Sequence, residues 1–266
     1  MHSKILFIVE GFDDEARFVE EYLSKVGFPS NFSLFRYGCN LYNFYDCLLE
    51  AQPDGDFSDI DVLGALRSME ERLPLKNDLN VLLGEYTDIY LIFDLDNHDA
   101  VHSKQERYDI IRAMSRYFNN STDSGQLLID SPMVEAYRDI SVSEEGDVTL
   151  NDDVSLEVGS GYKKLVGERG ICFGYSRFGR DTFLIISSLH LKRMCALLDC
   201  PISTDTITQF DAEAFATCLI DYVESNKIIP IIATIAFIPA MLSSYIIKEM
   251  MEIPLDTGLH MKKIPT

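Results

Sequence analysis

Two acidic stretches stand out, each set directly behind an apolar run. The first is Ile8-Val9-Glu10-Gly11-Phe12-Asp13-Asp14; the second is Leu91-Ile92-Phe93-Asp94-Leu95-Asp96, followed by Asn97, His98 and Asp99. Carboxylates at i and i+2 repel one another unless a cation lies between them, and hard oxygen ligands of this kind suit Mg2+ or Mn2+. A metal held by such acids clamps a phosphate while a water or hydroxyl attacks in line. The plain alternative for an isolated Asp-x-Asp is a polar turn after a core strand. A further acid, Glu135, closes the segment Asp130-Ser131-Pro132-Met133-Val134-Glu135.

For these acids to meet, separate strands must end at one edge. Lys4 to Val9 and Ile89 to Phe93 are short and rich in β-branched and aromatic residues, the pattern of strands buried on both faces of a parallel sheet. The carboxyl ends of such strands face the crevice where ligands bind. Between them a helix is predicted, capped by Asp13 or Asp14, with Phe18, Tyr22, Leu23 and Val26 as its stripe, Gly27 as its end and Pro29 forbidding continuation. A strand at Phe32 to Tyr37 and a helix at Leu41 to Glu50 follow, then a loop and helices over Ile60 to Leu73 and Leu75 to Leu83. Beyond the second acidic stretch come a helix from Ser103 to Phe118 and a strand from Gln126 to Ile129. Ser131 as cap and Pro132 at the first position suit a helix start, which sets Glu135 near the same edge. The alternation predicts an α/β fold, a mainly parallel sheet flanked by helices. It divides the chain into a metal-binding unit over 1–137, with a helical insertion at 52–85, and a 138–266 part. The latter holds an acidic hairpin or insertion from Ser141 to Glu157 and helices over Arg180 to Leu198 and Ala212 to Ser225.

A net charge of −20 argues against a protein that coats nucleic acid or anionic membrane through its overall field. Tyr162 to Arg193 runs the other way, with seven bases against two acids. Those bases either face a polyanion or pair with the surplus acids. The six cysteines lack any metal-finger or C-x-x-C spacing, which predicts reduced thiols in a cytoplasmic protein. The first residues run directly into a strand, so no cleavable signal peptide is expected. Ile228 to Ile247 is long enough to span a membrane, yet Pro230 and Pro239 divide it. The expectation is a buried strand or turn and then a helix started by Pro239, turning Met241, Leu242, Tyr245 and Ile246 inward. His98 reads as a solvated loop residue and His190 as structural.

At Ile8 to Asp14 and Leu91 to Asp96 the chain resembles the Toprim domain, shared by topoisomerases, primases and OLD-type nucleases, in which a strand ending in Glu-Gly is followed by one ending in Asp-x-Asp. Over residues 4–137 it is most similar to the OLD-like, phage-defence kind, the Toprim effectors of PARIS systems that work beside an ABC-type ATPase. The resemblance implies Mg2+ or Mn2+ held by Glu10, Asp14, Asp94, Asp96 and Glu135. Glu10, Asp94 and Asp96 would be catalytic, with a basic residue, Lys164 or its neighbour Lys163, near the metal. It implies cleavage of DNA or RNA, tRNA included, by a cytoplasmic antiviral effector kept in check by an ABC-type ATPase partner, with homodimerisation as a further expectation. No G-x-x-x-x-G-K-[ST] loop is present, which weakens a self-contained ATPase reading. Two alternatives stand: a non-catalytic Toprim-like interaction or sensor module, and a haloacid-dehalogenase-like phosphatase with Asp94 as nucleophile.

Overall fold

The strand β1 (Ile5–Val9) is buried at every residue, as its unbroken apolar sequence requires. It lies inside a five-stranded sheet of order β2-β1-β3-β5-β4, with β2 (Phe32–Arg36), β3 (Asp88–Asp94) and β5 (Gly125–Asp130) parallel to it and the two-residue β4 (Asn119–Asn120) antiparallel at the edge. This computed structural model describes residues 4–11, 14–27, 31–69, 79–96, 99–144, 148–170 and 175–253.

Helices α1 (Asp14–Lys25), α2 (Leu41–Ala51), α3 (Val62–Ser68) and α4 (Lys104–Tyr117) accompany the sheet. The predicted stripe of α1 is buried at Phe18, Tyr22, Leu23 and Val26, and Gly27 ends the helix with φ +78°, a conformation cheap only for glycine. Ser103 caps α4 in a full capping box with Glu106. Of the helices expected over Ile60 to Leu73 and Leu75 to Leu83, the described residues hold α3 and a 3-10 turn, Leu79–Leu83; residues 70–78 lie outside the described part.

The acidic stretch after Arg138 does form a hairpin, β6 (Ile140–Val142) with β7 (Val148–Leu150). A short β8 (Val154–Ser155) then pairs with β9 (Ile228–Ile229), far along the chain. Helices α5 (Tyr162–Arg169), α6 (Arg180–Leu197), α7 (Thr204–Thr208) and α8 (Ala212–Asn226) fill the span between. Tyr22 and Tyr137 weld this part to the first: Tyr22 donates to Ala236 O at 2.9 Å and Tyr137 to Phe183 O at 2.8 Å, among the rings of Phe18, Tyr175 and Phe183.

The apolar run after Lys227 turns inward. Ile231 to Ile238 are buried, and the helical portion breaks into α9 (Ile238–Leu242), with Pro239 in its first turn, and α10 (Ser244–Glu252). Among the described residues no helix is long and apolar enough to cross a membrane. Ile246 points inward as expected, but Tyr245 is 66% exposed, because the extended backbone at Ser243 resets the helical phase.

Candidate active site

The register brings three strand ends level. Val9 pairs with Ile92, and Asp94 with Asp130, while Glu10 N donates to Ile92 O at 3.0 Å and extends the ladder one residue. Glu10, Asp94 and Asp130 therefore leave adjacent parallel strands at the carboxyl edge, where a ligand crevice is expected. Glu10 Oε2 accepts from Asp94 N at 3.0 Å, and Asp94 Oδ1 from Val134 N at 2.9 Å. Asp130 Oδ1 accepts from Thr234 Oγ1 and Ile235 N, both at 3.0 Å, while its Oδ2 is buried without a hydrogen-bond partner.

Burial is the largest influence on all three acids, since it penalises the charged form. It pushes Glu10 up to about 8, against the pull of the Asp94 amide, with Glu15, Asp96 and Asp130 adding repulsion. Asp130 rises to about 7, with Glu15 adding to burial. Asp94 is held well above the usual carboxylate range by burial and then by Glu10, Glu15, Asp130 and Glu135. A cation reaches this edge from α5: Lys163 Nζ lies 2.7 Å from Glu135 Oε1, and Glu135 is itself buried.

Of the residues expected here, Glu10 and Asp94 are in contact. Asp96 lies close enough to raise Glu10; its backbone takes φ +24°, a left-handed turn that Asp tolerates better than most residues, and its Oδ2 accepts from Asn40 Nδ2 at 3.3 Å. Asp14 begins α1, but its side chain lies outside the described part, as do Asp13, Asn97 and His98. Lys164 is placed away from Glu135. It is 84% exposed and pairs with Glu168 one helical turn on, because consecutive helical residues point about 100° apart and the turn that aims Lys163 at Glu135 aims Lys164 away. The Ser131 cap is a correction. Ser131 instead exchanges both backbone hydrogen bonds with Ile232 at 2.8 Å and donates its hydroxyl to Pro230 O, and the 3-10 turn Val134–Arg138 starts three residues later.

Asp99 belongs to the loop that precedes α4. Its Oδ2 accepts from the amides of Val101 and His102 and contacts His102 Nδ1 at 2.8 Å, so it organises its own loop. His190 is structural: fully buried, its pKa pushed down to about 4 chiefly by that burial, it accepts from Ala233 N at 3.1 Å through Nδ1. Sequence reasoning missed Asp130 and Glu15. Asp130 obeys the same strand-end rule as Asp94 and was open to it. Glu15 carried no signal beyond lying in an acidic helix start; its buried carboxylate packs so tightly on Gly11 that a Cβ there would run into it.

The donor set is all carboxylate oxygen, crowded and partly desolvated, which is the chemistry a hard divalent cation relieves. Among the described residues, no group of three or more His, Cys, Asp or Glu side chains is arranged to hold a metal ion. The bases of the 162–193 segment are mostly answered internally: Lys163 by Glu135, Lys164 by Glu168, Arg169 by Asp139, Arg180 by Glu249 and Arg193 by Asp153. Set against protein-family models, curated proteins and solved structures, the chain matches none of them.

Proposed function

We propose that this chain is a metal-dependent nuclease of Toprim type that cleaves phosphodiester bonds of DNA or RNA, tRNA among the candidates. In this reading it is a cytoplasmic effector of anti-phage defence held in check by an ABC-type ATPase. One observation carries the proposal: three adjacent parallel strands end in the carboxyl groups of Glu10, Asp94 and Asp130 at the edge where ligands bind, with Glu10 hydrogen-bonded to the Asp94 amide. Glu10, Asp94, Asp96 and Asp130 would have to draw together to hold Mg2+ or Mn2+, which would then supply Lewis acidity to a phosphate oxygen. Without metal, burial holds Glu10 up to about 8, so Glu10 would either ligate the ion as a carboxylate or, left unligated, take or give a proton around neutral pH. Lys163 stands half in solvent at the rim, where it can offset charge that develops on the phosphate. With a net charge of −20 and its bases largely paired, the chain meets a polyanion poorly alone, so a basic partner surface fits its regulation.

Incubation of the purified chain with Mn2+ against duplex DNA and total RNA is the test. Cleavage by the wild type, reduced about 100-fold or more in Glu10→Gln and Asp94→Asn, supports the assignment. Full activity in Glu10→Gln ends it. The engagement of Glu10 and Asp94 by backbone amides favours one second reading, a sensor module without catalysis. That module would gain thermal stability from Mn2+ and cleave nothing.

A further inference from the structure

Helix α6 ends in a Schellman motif. Asp199 takes φ +49° and turns the chain back; Asp199 N donates to Ala196 O at 3.4 Å, and Cys200 N donates to Cys195 O at 3.0 Å. Such a motif commonly closes with a contact between the side chains at its two ends. Here both ends are cysteine, and their thiols meet in a hydrogen bond. Cys195 is buried and Cys200 half-buried. A disulfide needs α-carbons about 4.4–6.8 Å apart. The path from the Cys195 α-carbon through its carbonyl oxygen, across the 3.0 Å bond and on to the Cys200 α-carbon bends at both polar atoms, which keeps the pair within that span. Two aliphatic side chains would close the turn as well; two thiols add the means to close it covalently. Cys218 of α8 stands near enough to Cys200 to feel its charge.

We propose that Cys195 and Cys200 form a reversible dithiol–disulfide site, reduced at rest and oxidised by a hydroperoxide. Cys200 reacts first, being the more exposed, whereas burial and then the neighbouring Cys200 push the Cys195 thiol up to about 12 and keep it protonated. The Cys200 sulfur, its proton lost to solvent, attacks one peroxide oxygen; the O–O bond breaks and the leaving hydroxide departs as water. Cys200 is left as a sulfenic acid. The Cys195 sulfur then attacks the Cys200 sulfur, the S–O bond breaks, and the leaving hydroxide takes the Cys195 proton to give a second water. Two thiols and one hydrogen peroxide thus yield one disulfide and two waters, the sulfurs losing the two electrons that the peroxide gains. A dithiol reductant reverses the change by exchange. The site uses none of the acid edge, so it stands apart from the nuclease reading.

Cys195, Cys200 and Cys218 share one tryptic peptide, residues 194–227, so its mass reports on all three. The native full chain is treated with hydrogen peroxide, alkylated at its remaining thiols in denaturant, and digested. The peptide should lack two hydrogens and carry a single alkyl group, on Cys218; dithiothreitol given after the peroxide should restore alkylation of all three cysteines. Cys218→Ser should leave the loss of two hydrogens intact, and Cys200→Ser should abolish it. Cys200 is half-buried, so that variant serves even where Cys195→Ser, at a buried position, fails to fold. The proposal is overturned if the wild-type peptide keeps all three thiols or only gains oxygen, if the loss persists in Cys200→Ser, or if it disappears in Cys218→Ser.

Discussion

Asp130 and Asp139 are both fully buried carboxylates, nine residues apart, and they live in opposite electrostatic settings. Asp139 is fully answered: Arg169 forks onto it at 3.0 and 2.7 Å, Tyr162 donates at 2.8 Å and Asn151 at 2.7 Å. Asp130 is met by the neutral donors Thr234 and Ile235 on one oxygen, keeps the other unbonded, and is raised to about 7 by burial, with Glu15 adding repulsion. Burial alone therefore marks neither structure nor function. A buried acid with its own arginine locks the fold, whereas a buried acid among acids is costly to keep unless something else, a proton or a cation, neutralises it.

The contrast is broken most forcefully at Arg169. Arg169→Ala leaves Asp139 uncompensated and should destabilise the fold by about 3–5 kcal/mol in denaturant titrations. Asp130→Asn should do the reverse at pH 8, stabilising by on the order of 1–3 kcal/mol while lowering nuclease activity. If both substitutions destabilise alike, the distinction is lost.

The pH dependence sharpens the same point. Glu10 and Asp130 have folded pKa values of about 8 and 7, raised from 4.5 and 3.8. From about pH 4 upward the unfolded chain loses these protons while the native one retains them, so unfolding releases protons and stability falls as pH rises. The melting temperature without metal should drop between about pH 4 and pH 8, and Mn2+ should restore it near pH 8. A rising or flat profile through that window contradicts the clustered-acid picture.

Smaller effects are expected at α5. Lys163→Ala should lower nuclease turnover about 10-fold and also lower the melting temperature, since it leaves buried Glu135 without its cation, whereas Lys164→Ala, its pair with Glu168 being surface-exposed, should alter neither. Equal losses in the two variants would show that the charge of the segment matters more than its aim.

The sequence by itself determined the strands and most helices, because apolar runs bounded by charges and a 3.6-residue stripe are local signals: β1, β3, α1, α4, α6 and α8 all lie close to where those patterns place them. It also named Glu10 and Asp94, since strand-end acids are visible in one dimension. Tertiary structure decided the rest. Only the parallel register shows that Asp130 stands level with Asp94, and only the packing of α1 shows that Glu15, not merely a polar helix start, is buried against Gly11. Only the helical phase of α5 separates Lys163 from Lys164. Thr234 and Ile235 reach Asp130 from more than a hundred residues away, because a run apolar enough to cross a membrane found more apolar surface at the sheet edge. Which charges end up facing one another is a property of distance in space, and residue order alone does not carry it.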